Sequence, residues 1–544
     1  MERFLSHFLS PDVAQKAGYI GSSPLLPQTD PLITGLAYDS RTVSRGSLYF
    51  ALPGLHADGH AFIPDAIQRG AKAIIHQHEL PEYVPGIPYI RVKDSRFAMS
   101  PVAAAFYEFP SQRLCVIGVT GTEGKSTTVY LIYQILRLLG KQAGFISTVQ
   151  YDAGTGEQWN PEHQTTPEAP VLQKVLRDIH DHGGEYAVLE ASSHGLSPRT
   201  NRLGDVAFDV GVMTNVTQEH LEFHGTWEQY RQDKARLFQA LEQVDHHKTR
   251  DPKALQDFLR VPSFGVVNAD DPSAGYFAGS TKHSTYTYST KGLEADLTLK
   301  KITGNPRGNW YEVCIHKTGA ILDIRDRLPG TFNAGNVLAS LLTLSELLSV
   351  PVQELIPLVP RLKPVRGRMT TIERGQPFEV MVDYAHTPSS FQTIFPPLRE
   401  RLDSRGGRII SLFGSAGERD TAKRAEQGKI AAAWSDMLVL TDEDPRGEDP
   451  MAILEAIAQG ISEAKAGENL FLIPDRPLAI RKAFSLARPK DLVLLLGKGH
   501  ENSIIYAHET KAYDEIREAE KALAEFGFSQ TDDDLRYQVD QARS

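Results

Sequence analysis

Cysteine is nearly absent: two residues in 544, Cys115 and Cys314, each inside an apolar, strand-like run. A disulfide framework is excluded, and both thiols are expected to be reduced core groups, as in a cytoplasmic protein. No uncharged apolar run reaches membrane-spanning length, and the start, Met1-Glu-Arg-Phe-Leu-Ser-His-Phe8, lacks the apolar core of a signal peptide. No membrane partner is therefore expected. Basic excess is missing too. Lys and Arg number 58 against 68 Asp and Glu, a net charge of −10, so no nucleic-acid partner is expected and anionic ligands need local basic sites. Repeats and low-complexity tracts are also lacking. What remains, 41% hydrophobic and 23% charged, is ordinary for a globular chain and long enough for about three domains. The charged end from Asp532 reads as a frayed tail.

One stretch organises the rest. The apolar run Leu114 to Val119 reads as a buried parallel strand. Gly118, Gly121 and Gly124 supply a turn, and Lys125-Ser-Thr-Thr128 opens a segment with apolar residues at helical spacing. Strand, glycine turn and helix N-terminus make a phosphate cradle, with Lys125 reaching the terminal phosphates and Ser126 holding Mg²⁺. The usual pattern places its first glycine at position 119; here that glycine is Gly118, one residue early.

Downstream, apolar strands alternate with amphipathic helices, the pattern of a parallel sheet covered on both faces. Strands are expected at Tyr186–Ala191, Val210–Thr214 and Phe264–Asn268. Polar groups follow directly, in Glu190-Ala-Ser-Ser-His194 and Thr214-Asn-Val-Thr-Gln-Glu-His220. Ligands gather at such strand ends. Glu190 and His220 could reach a metal beside the phosphates, although each reads equally as a capping or hydrogen-bonded group. Thr165-Thr-Pro167 reads equally as a turn. Before the phosphate loop, Asp39-Ser-Arg41 and Ala57-Asp-Gly59 sit in a small α/β segment and fix no function by spacing alone. After Pro364 a second alternation begins. Its strands, Val380–Asp383, Arg408–Phe413, Met437–Leu440 and Leu492–Leu496, are each followed by a polar cluster.

The ordered set Gly121-Thr-Glu-Gly-Lys-Ser126, Thr165-Thr-Pro167, Glu190-Ala-Ser-Ser-His-Gly-Leu196 and Asn215-Val-Thr-Gln-Glu-His-Leu-Glu-Phe-His-Gly225 resembles the Mur ligases, in the branch that adds the third residue of the peptidoglycan stem peptide. The likeness runs from Asp39 to about Ala524. It implies three α/β domains: residues 1–113 binding the UDP substrate, a central ATP-binding parallel-sheet domain at 114–364, and a Rossmann-like amino-acid-binding domain at 365–544. It implies an ADP-forming amide ligase using ATP, Mg²⁺, UDP-N-acetylmuramoyl-L-alanyl-D-glutamate and a diamino acid, working as a monomer. Gly121, Thr122, Glu123, Gly124, Lys125, Ser126, Thr127, Asn333, Asn336, Arg368, Asp383 and His386 would contact ATP. Ser40, Arg41, Ala57, Asp58, Gly59, Thr165, Thr166, Ser192 and Arg202 would hold the UDP substrate. Arg419, Asp444, Arg446, Gly497 and Glu501 would hold the amino acid. Ser126, Glu190, His220 and Lys234 would bind metal, Lys234 as a carbamate made with CO₂; Lys125, Lys234 and His220 would be catalytic. From sequence alone Lys234 is an exposed helix charge, and Asn333 reads as a helix N-cap. The chain departs from the family at Glu123, a carboxylate near phosphates, and at Asp444, where diaminopimelate enzymes carry Asn. Asp444 suits an ammonium, so the expectation leans to lysine or ornithine over meso-diaminopimelate. Asp245 to Pro252 looks like added length in a helical region. The competing classes are a folylpolyglutamate synthetase-like ligase, a plain NTPase switch and a non-catalytic nucleotide-sugar-binding module.

Overall fold

The computed structural model describes residues 1–21, 29–54, 57–160, 164–217, 221–243, 246–249, 258–305, 308–462 and 467–530. His220 and the tail from Asp532 lie outside the described residues. The chain divides into two compact units, 1–363 and 364–544.

Among the described residues the first unit holds two main sheets and two two-stranded ribbons. The smaller main sheet has four parallel strands in the order Gly35–Ala37, Ser47–Phe50, Ala73–His76, Tyr89–Arg91. Its two inner strands are buried throughout, which explains why they read as continuous apolar runs. The helix Ser95–Phe106 covers one face with Ala98, Met99 and Val102, while Tyr49, Ile63 and Ala66 pack on the other.

The larger sheet has eleven strands. Six neighbouring pairs are parallel, joining Ala143–Ile146, Tyr186–Glu190, Cys115–Thr120, Val210–Met213, Phe264–Asn268, Thr285–Ser289 and Leu297–Asn305 in that order. Both margins continue antiparallel, through Gln150–Asp152 and Gln158–Trp159 on one side and Gly308–Ile315 and Ala320–Arg325 on the other. The expected parallel sheet is thus the centre of a mixed one. The marginal strand Ala320–Arg325 alternates exposed residues with half-buried ones, only Ile324 being fully buried, instead of forming an apolar run, so it carries a weaker signal.

Three local readings change. Gly118 is not part of the turn: it lies inside the strand, where a Cβ would meet Leu237 Cδ1 at 2.5 Å and Phe208 Cε1 at 2.8 Å. It is a packing glycine beneath the helix Trp227–Ala240. The stretch read as extra helical length contributes a strand, His247–Thr249, paired antiparallel with Phe258–Arg260; residues 250–257 lie outside the described residues. Lys248 and His246 hold the buried Asp209 at 2.8 and 2.9 Å, anchoring this hairpin to the sheet. Cys115 is buried as expected, but Cys314 is only half-buried, because its strand belongs to the thin antiparallel margin.

The second unit is a six-stranded sheet ordered Thr370–Ile372, Glu379–Asp383, Leu492–Leu496, Ile409–Phe413, Met437–Leu440, Leu470–Leu472, parallel except for its first strand. Helices cover both faces, giving one core around Phe391, Phe395 and Leu454 and another around Ile480, Phe484 and Leu523. Among the described residues no single helix is long and apolar enough to cross a membrane.

Candidate functional site

The phosphate loop is shaped by two places where no side chain fits. Gly121 has φ +147°, and a Cβ there would lie 1.9 Å from Thr214 Oγ1; Gly124 has φ +80°, with Asn336 Oδ1 2.5 Å from its would-be Cβ. The next strand end clamps the loop from the side. Thr122 N donates to Asn215 O (2.8 Å), Glu123 N to Asn215 Oδ1 (2.9 Å), and Thr214 Oγ1 to Glu123 O (2.6 Å). Glu123 is therefore held through its backbone, which makes the residue type at 123 secondary to the loop's shape. Lys125 Nζ curls back to Thr122 O at 2.7 Å. The helix Lys125–Leu138, which includes Ser126 and Thr127, starts here and aims its free N–H groups and dipole out of the loop.

Three expected metal ligands meet at this loop. Ser126 Oγ, in the first turn of the helix Lys125–Leu138, donates to Glu190 Oε2 at 2.9 Å, at the end of the strand parallel to Cys115–Thr120. Lys234, expected as an exposed helix charge on spacing alone, is 2% exposed. Its Nζ donates to Gly121 O, 2.5 Å away, and lies 4.5 Å from the Tyr230 ring centre, whose hydroxyl meets Thr122 Oγ1 at 3.0 Å. Carboxylate and hydroxyl oxygens suit a hard cation such as Mg²⁺. Lysine joins such a set only after its nitrogen loses its positive charge, as in a carbamate. Next to this group the buried His224 Nδ1 and Asp233 Oδ2 lie 2.8 Å apart, a pair that spacing did not single out.

Asn333 is no N-cap: it is the first residue of the helix Asn333–Leu348, and its side chain donates to Pro329 O at 2.7 Å. Its Oδ1 accepts from Asn336 Nδ2 at 2.8 Å, and Asn336 Oδ1 accepts from Thr128 Oγ1 at 3.2 Å. The paired amides thus lie against the phosphate-loop helix.

Ser40 and Arg41 follow the strand Gly35–Ala37, and Ala57, Asp58 and Gly59 follow its parallel neighbour Ser47–Phe50. Both groups therefore lie at the same carboxyl edge of the small sheet. Arg41 grips Asp39 with two nitrogens, at 3.0 and 2.6 Å, which holds the Asp39 carboxyl below the usual range. The Arg41 side chain stays 83% exposed. Gly59 is required because a Cβ would lie 2.7 Å from Leu52 N and O. Asp58 Oδ1 is fixed by His60 N and Nδ1 at 3.0 and 2.6 Å, while His60 Nε2 accepts from Gln77 N. Thr166, Ser192 and Arg202 form one group. Thr166 Oγ1 meets Ser192 Oγ at 2.9 Å and donates to Glu190 O, and Arg202 Nη1 donates to Thr166 O at 3.0 Å. Thr165 sits beside them, half-buried. Sequence reasoning missed Glu168, whose Oε1 is shared by Arg96 (2.9 Å) and Arg202 (3.0 Å).

In the second unit the expected residues again occupy strand ends. Asp383 accepts from Ala385 N and Met369 N at 2.7 and 2.8 Å, and burial raises its carboxyl above the usual value. Arg368 stacks on Tyr384 at 4.6 Å, and His386 Nδ1 meets Tyr384 O. Asp444 does not pair with Arg446. Its Oδ1 accepts from the fully buried Lys498 Nζ (2.9 Å) and from Ile505 N (3.0 Å). The same ammonium meets Glu501 Oε2 at 2.5 Å. Burial pulls Lys498 down, but Glu501 and Asp444 outweigh it and hold its ammonium above the ordinary value. Beside them Glu443 is buried, its carboxyl raised by burial, with Oε2 3.1 Å from the would-be Cβ of Gly497. Among the described residues that oxygen has no hydrogen-bond partner. Arg446 is half-buried in a left-handed conformation, φ +55°, and Arg419 is exposed. A residue absent from the expectations ties this edge together: Arg476, fully buried, donates to Asp442 O, Leu496 O and both oxygens of Glu515 at 2.7–2.9 Å.

Comparison with known proteins bears on the same stretches. Three family profiles match in order: the Mur ligase family, catalytic domain, at residues 32–107; the Mur ligase middle domain at 119–344; and the Mur ligase, glutamate ligase domain, at 367–499. The UDP-N-acetylmuramyl-tripeptide synthetase of Treponema denticola is 50% identical, over 90% of this chain and 94% of its own. The UDP-N-acetylmuramoyl-L-alanyl-D-glutamate–2,6-diaminopimelate ligase of Geobacillus kaustophilus is 37% identical, over 92% of this chain and 96% of its own. A solved structure of a UDP-N-acetylmuramoyl-L-alanyl-D-glutamate–2,6-diaminopimelate ligase superposes with a TM-score of 0.59 at 27% identity, covering 97% of this chain and all of that one.

Proposed function

Since this chain belongs to the Mur ligase family, we propose that it adds a diamino acid to UDP-N-acetylmuramoyl-L-alanyl-D-glutamate in peptidoglycan precursor synthesis. It is an ATP-dependent, ADP-forming carboxylate–amine ligase of three α/β domains, which we place at 1–113, 114–364 and 365–544. The observation that carries the reading is the meeting of Ser126, Glu190 and Lys234 at one glycine loop.

A carboxylate is a poor electrophile at neutral pH. In this reading the glutamate side chain takes the γ-phosphoryl group, and the amine displaces phosphate from the resulting acyl phosphate. Ser126, Glu190, His220 and the Lys234 carbamate would hold Mg²⁺, which would supply charge neutralisation during that transfer. Gly121 to Thr127 cradle the phosphates, and Lys125 uncurls from Thr122 O toward them. Asn333 and Asn336 face the adenine, each amide offering a donor and an acceptor. Arg368, Asp383 and His386 are assigned to ATP by family likeness alone. Ser40, Arg41 and Ala57–Gly59 hold the UDP end, while Thr165, Thr166, Ser192 and Arg202 hold the muramoyl-peptide end. Arg419, Asp444, Arg446, Gly497 and Glu501 receive the amino acid. We take its distal group to be cationic, because Asp444 stands where diaminopimelate enzymes carry Asn and the buried Glu443 beside it keeps one oxygen unpartnered among the described residues. Those two carboxyl groups support lysine or ornithine over meso-diaminopimelate. We place the enzyme in the cytoplasm, as a monomer.

The test is isotopic. With ¹⁸O in the substrate's glutamate carboxylate, one label should appear in released phosphate; unlabelled phosphate alongside tripeptide product rejects the acyl-phosphate route. ATP hydrolysis indifferent to the UDP-dipeptide would instead favour an NTPase switch, and substrate binding without product a binding module.

A further inference from the structure

Thr148 follows the strand Ala143–Ile146, which runs parallel beside Tyr186–Glu190 with Ile146 opposite Leu189. That register brings residue 148 to the end of the neighbouring strand, beside the Glu190 carboxylate. Two donors of this one residue converge on a single oxygen: Thr148 N lies 2.8 Å and Thr148 Oγ1 3.0 Å from Glu190 Oε2. Ser126 Oγ is the third donor, at 2.9 Å. Among the described residues Oε1 receives no hydrogen bond. A carboxylate rotates easily about its last bond; three donors on one oxygen fix its plane and leave the other oxygen open. Ser126, with its hydroxyl hydrogen directed at Glu190, keeps its lone pairs for a cation.

The Thr148 hydroxyl is not needed to build its own turn. Ser147 does that alone, with Ser147 N and Oγ bonded to Gln150 O at 3.0 and 2.8 Å and Gln150 N returning to Ser147 Oγ at 3.2 Å. A hydroxyl at 148 that the turn does not use, directed at a carboxylate, points to work on that carboxylate.

We propose that Thr148 is a positioning residue for the divalent cation: it holds Oε2 of Glu190 so that Oε1 faces the metal beside the phosphate loop. The proposal rests on the reading of Glu190 as a cation ligand. Neutral groups that orient ligands typically govern metal affinity by about 10–100-fold.

The experiment titrates the full chain with Mn²⁺ in saturating ADP, following free Mn²⁺ by electron paramagnetic resonance. Thr148→Val is nearly isosteric, keeps the backbone donor and removes only the hydroxyl; Thr148→Ser keeps both. The valine variant is expected to bind Mn²⁺ about tenfold more weakly or worse, with its thermal midpoint unchanged, and to need correspondingly more Mg²⁺ to reach the parent kcat. The serine variant is expected to match the parent. Parent-like Mn²⁺ affinity in Thr148→Val overturns the proposal, as does an equal loss in Thr148→Ser. Glu190→Gln separates the two levels. If it weakens Mn²⁺ binding while Thr148→Val does not, only the positioning role fails; if it too binds like the parent, the ligand reading of Glu190 fails with it.

Discussion

Lys234 places an amine in the interior, 2% exposed, with the Gly121 carbonyl and the Tyr230 face as its described contacts. An ammonium there opposes any cation at Glu190, whereas a carbamate joins it. Lys234→Ala should therefore abolish most ligase turnover while leaving UDP-substrate affinity, read by calorimetry, nearly intact. High bicarbonate or a short-chain carboxylate should restore part of the rate. Wild-type turnover in the variant rejects the carbamate. Asp442 makes a second prediction at this scale. Burial raises its carboxyl from 3.8 to about 6, against the pull of the Tyr506 hydroxyl. A folded-state pKa above the unfolded one means the anion costs stability: nothing below 3.8, progressively more between, and the full amount above about 6. Asp442→Asn should stabilise the protein at pH 7.5 and change little at pH 3.5, in chemical denaturation at both pH values. Equal effects at the two would assign the gain to packing.

Among the elements, Arg476 has the clearest structural consequence. It opens the helix Arg476–Leu486 yet reaches the carbonyls of Asp442 and Leu496, just after one central strand and at the end of another. Its charge is balanced by Glu515, at the start of the helix Glu515–Glu525, so one guanidinium joins two strand ends and two helices. Arg476→Met strands the Glu515 charge and should cost about 3–5 kcal/mol in urea unfolding. Adding Glu515→Leu should recover much of that; if the double variant is no more stable than the single, the charge is not the cause. None of this is visible in the sequence. Strands such as Phe264–Asn268, Met437–Leu440 and Leu492–Leu496 are legible to the residue, because burial on both faces writes an unbroken apolar run. The antiparallel margin is not, since alternation over a few residues looks like loop. Gly118 shows the reverse error: a glycine beside a motif reads as motif, although Leu237 and Phe208 explain it. Ser126 stood out through the glycine-loop motif and Glu190 as a polar group closing an apolar run, while Thr148 and Glu168 have no such flag and matter through partners 42 and 34 residues away. Lys234 was found by family likeness alone, and Asp444 was assigned its type without its partner, Lys498.

For the whole molecule the decisive property is which amine it accepts. With lysine, ornithine and meso-diaminopimelate at equal concentration, mass spectrometry should find mostly a lysine or ornithine tripeptide, the outcome expected when Asp444 and the buried Glu443 select an ammonium. Predominant diaminopimelate product overturns that assignment, and product from monoamino acids alone overturns the substrate class.

The unequal placement of the two cysteines has a practical corollary. Alkylation needs an accessible thiolate. Burial pushes the Cys115 thiol well above its ordinary range and closes it to reagent, while Cys314 is half-buried. A maleimide should therefore add a single mass increment to the native protein, at Cys314 on digestion, and a second only after unfolding. The natural sequence thus carries its own one-site handle for a fluorophore, and Cys115, in the strand that leads into the phosphate loop, serves as an internal reporter that lights up when that strand opens. Ligands that tighten the loop should lengthen the lag before the second adduct.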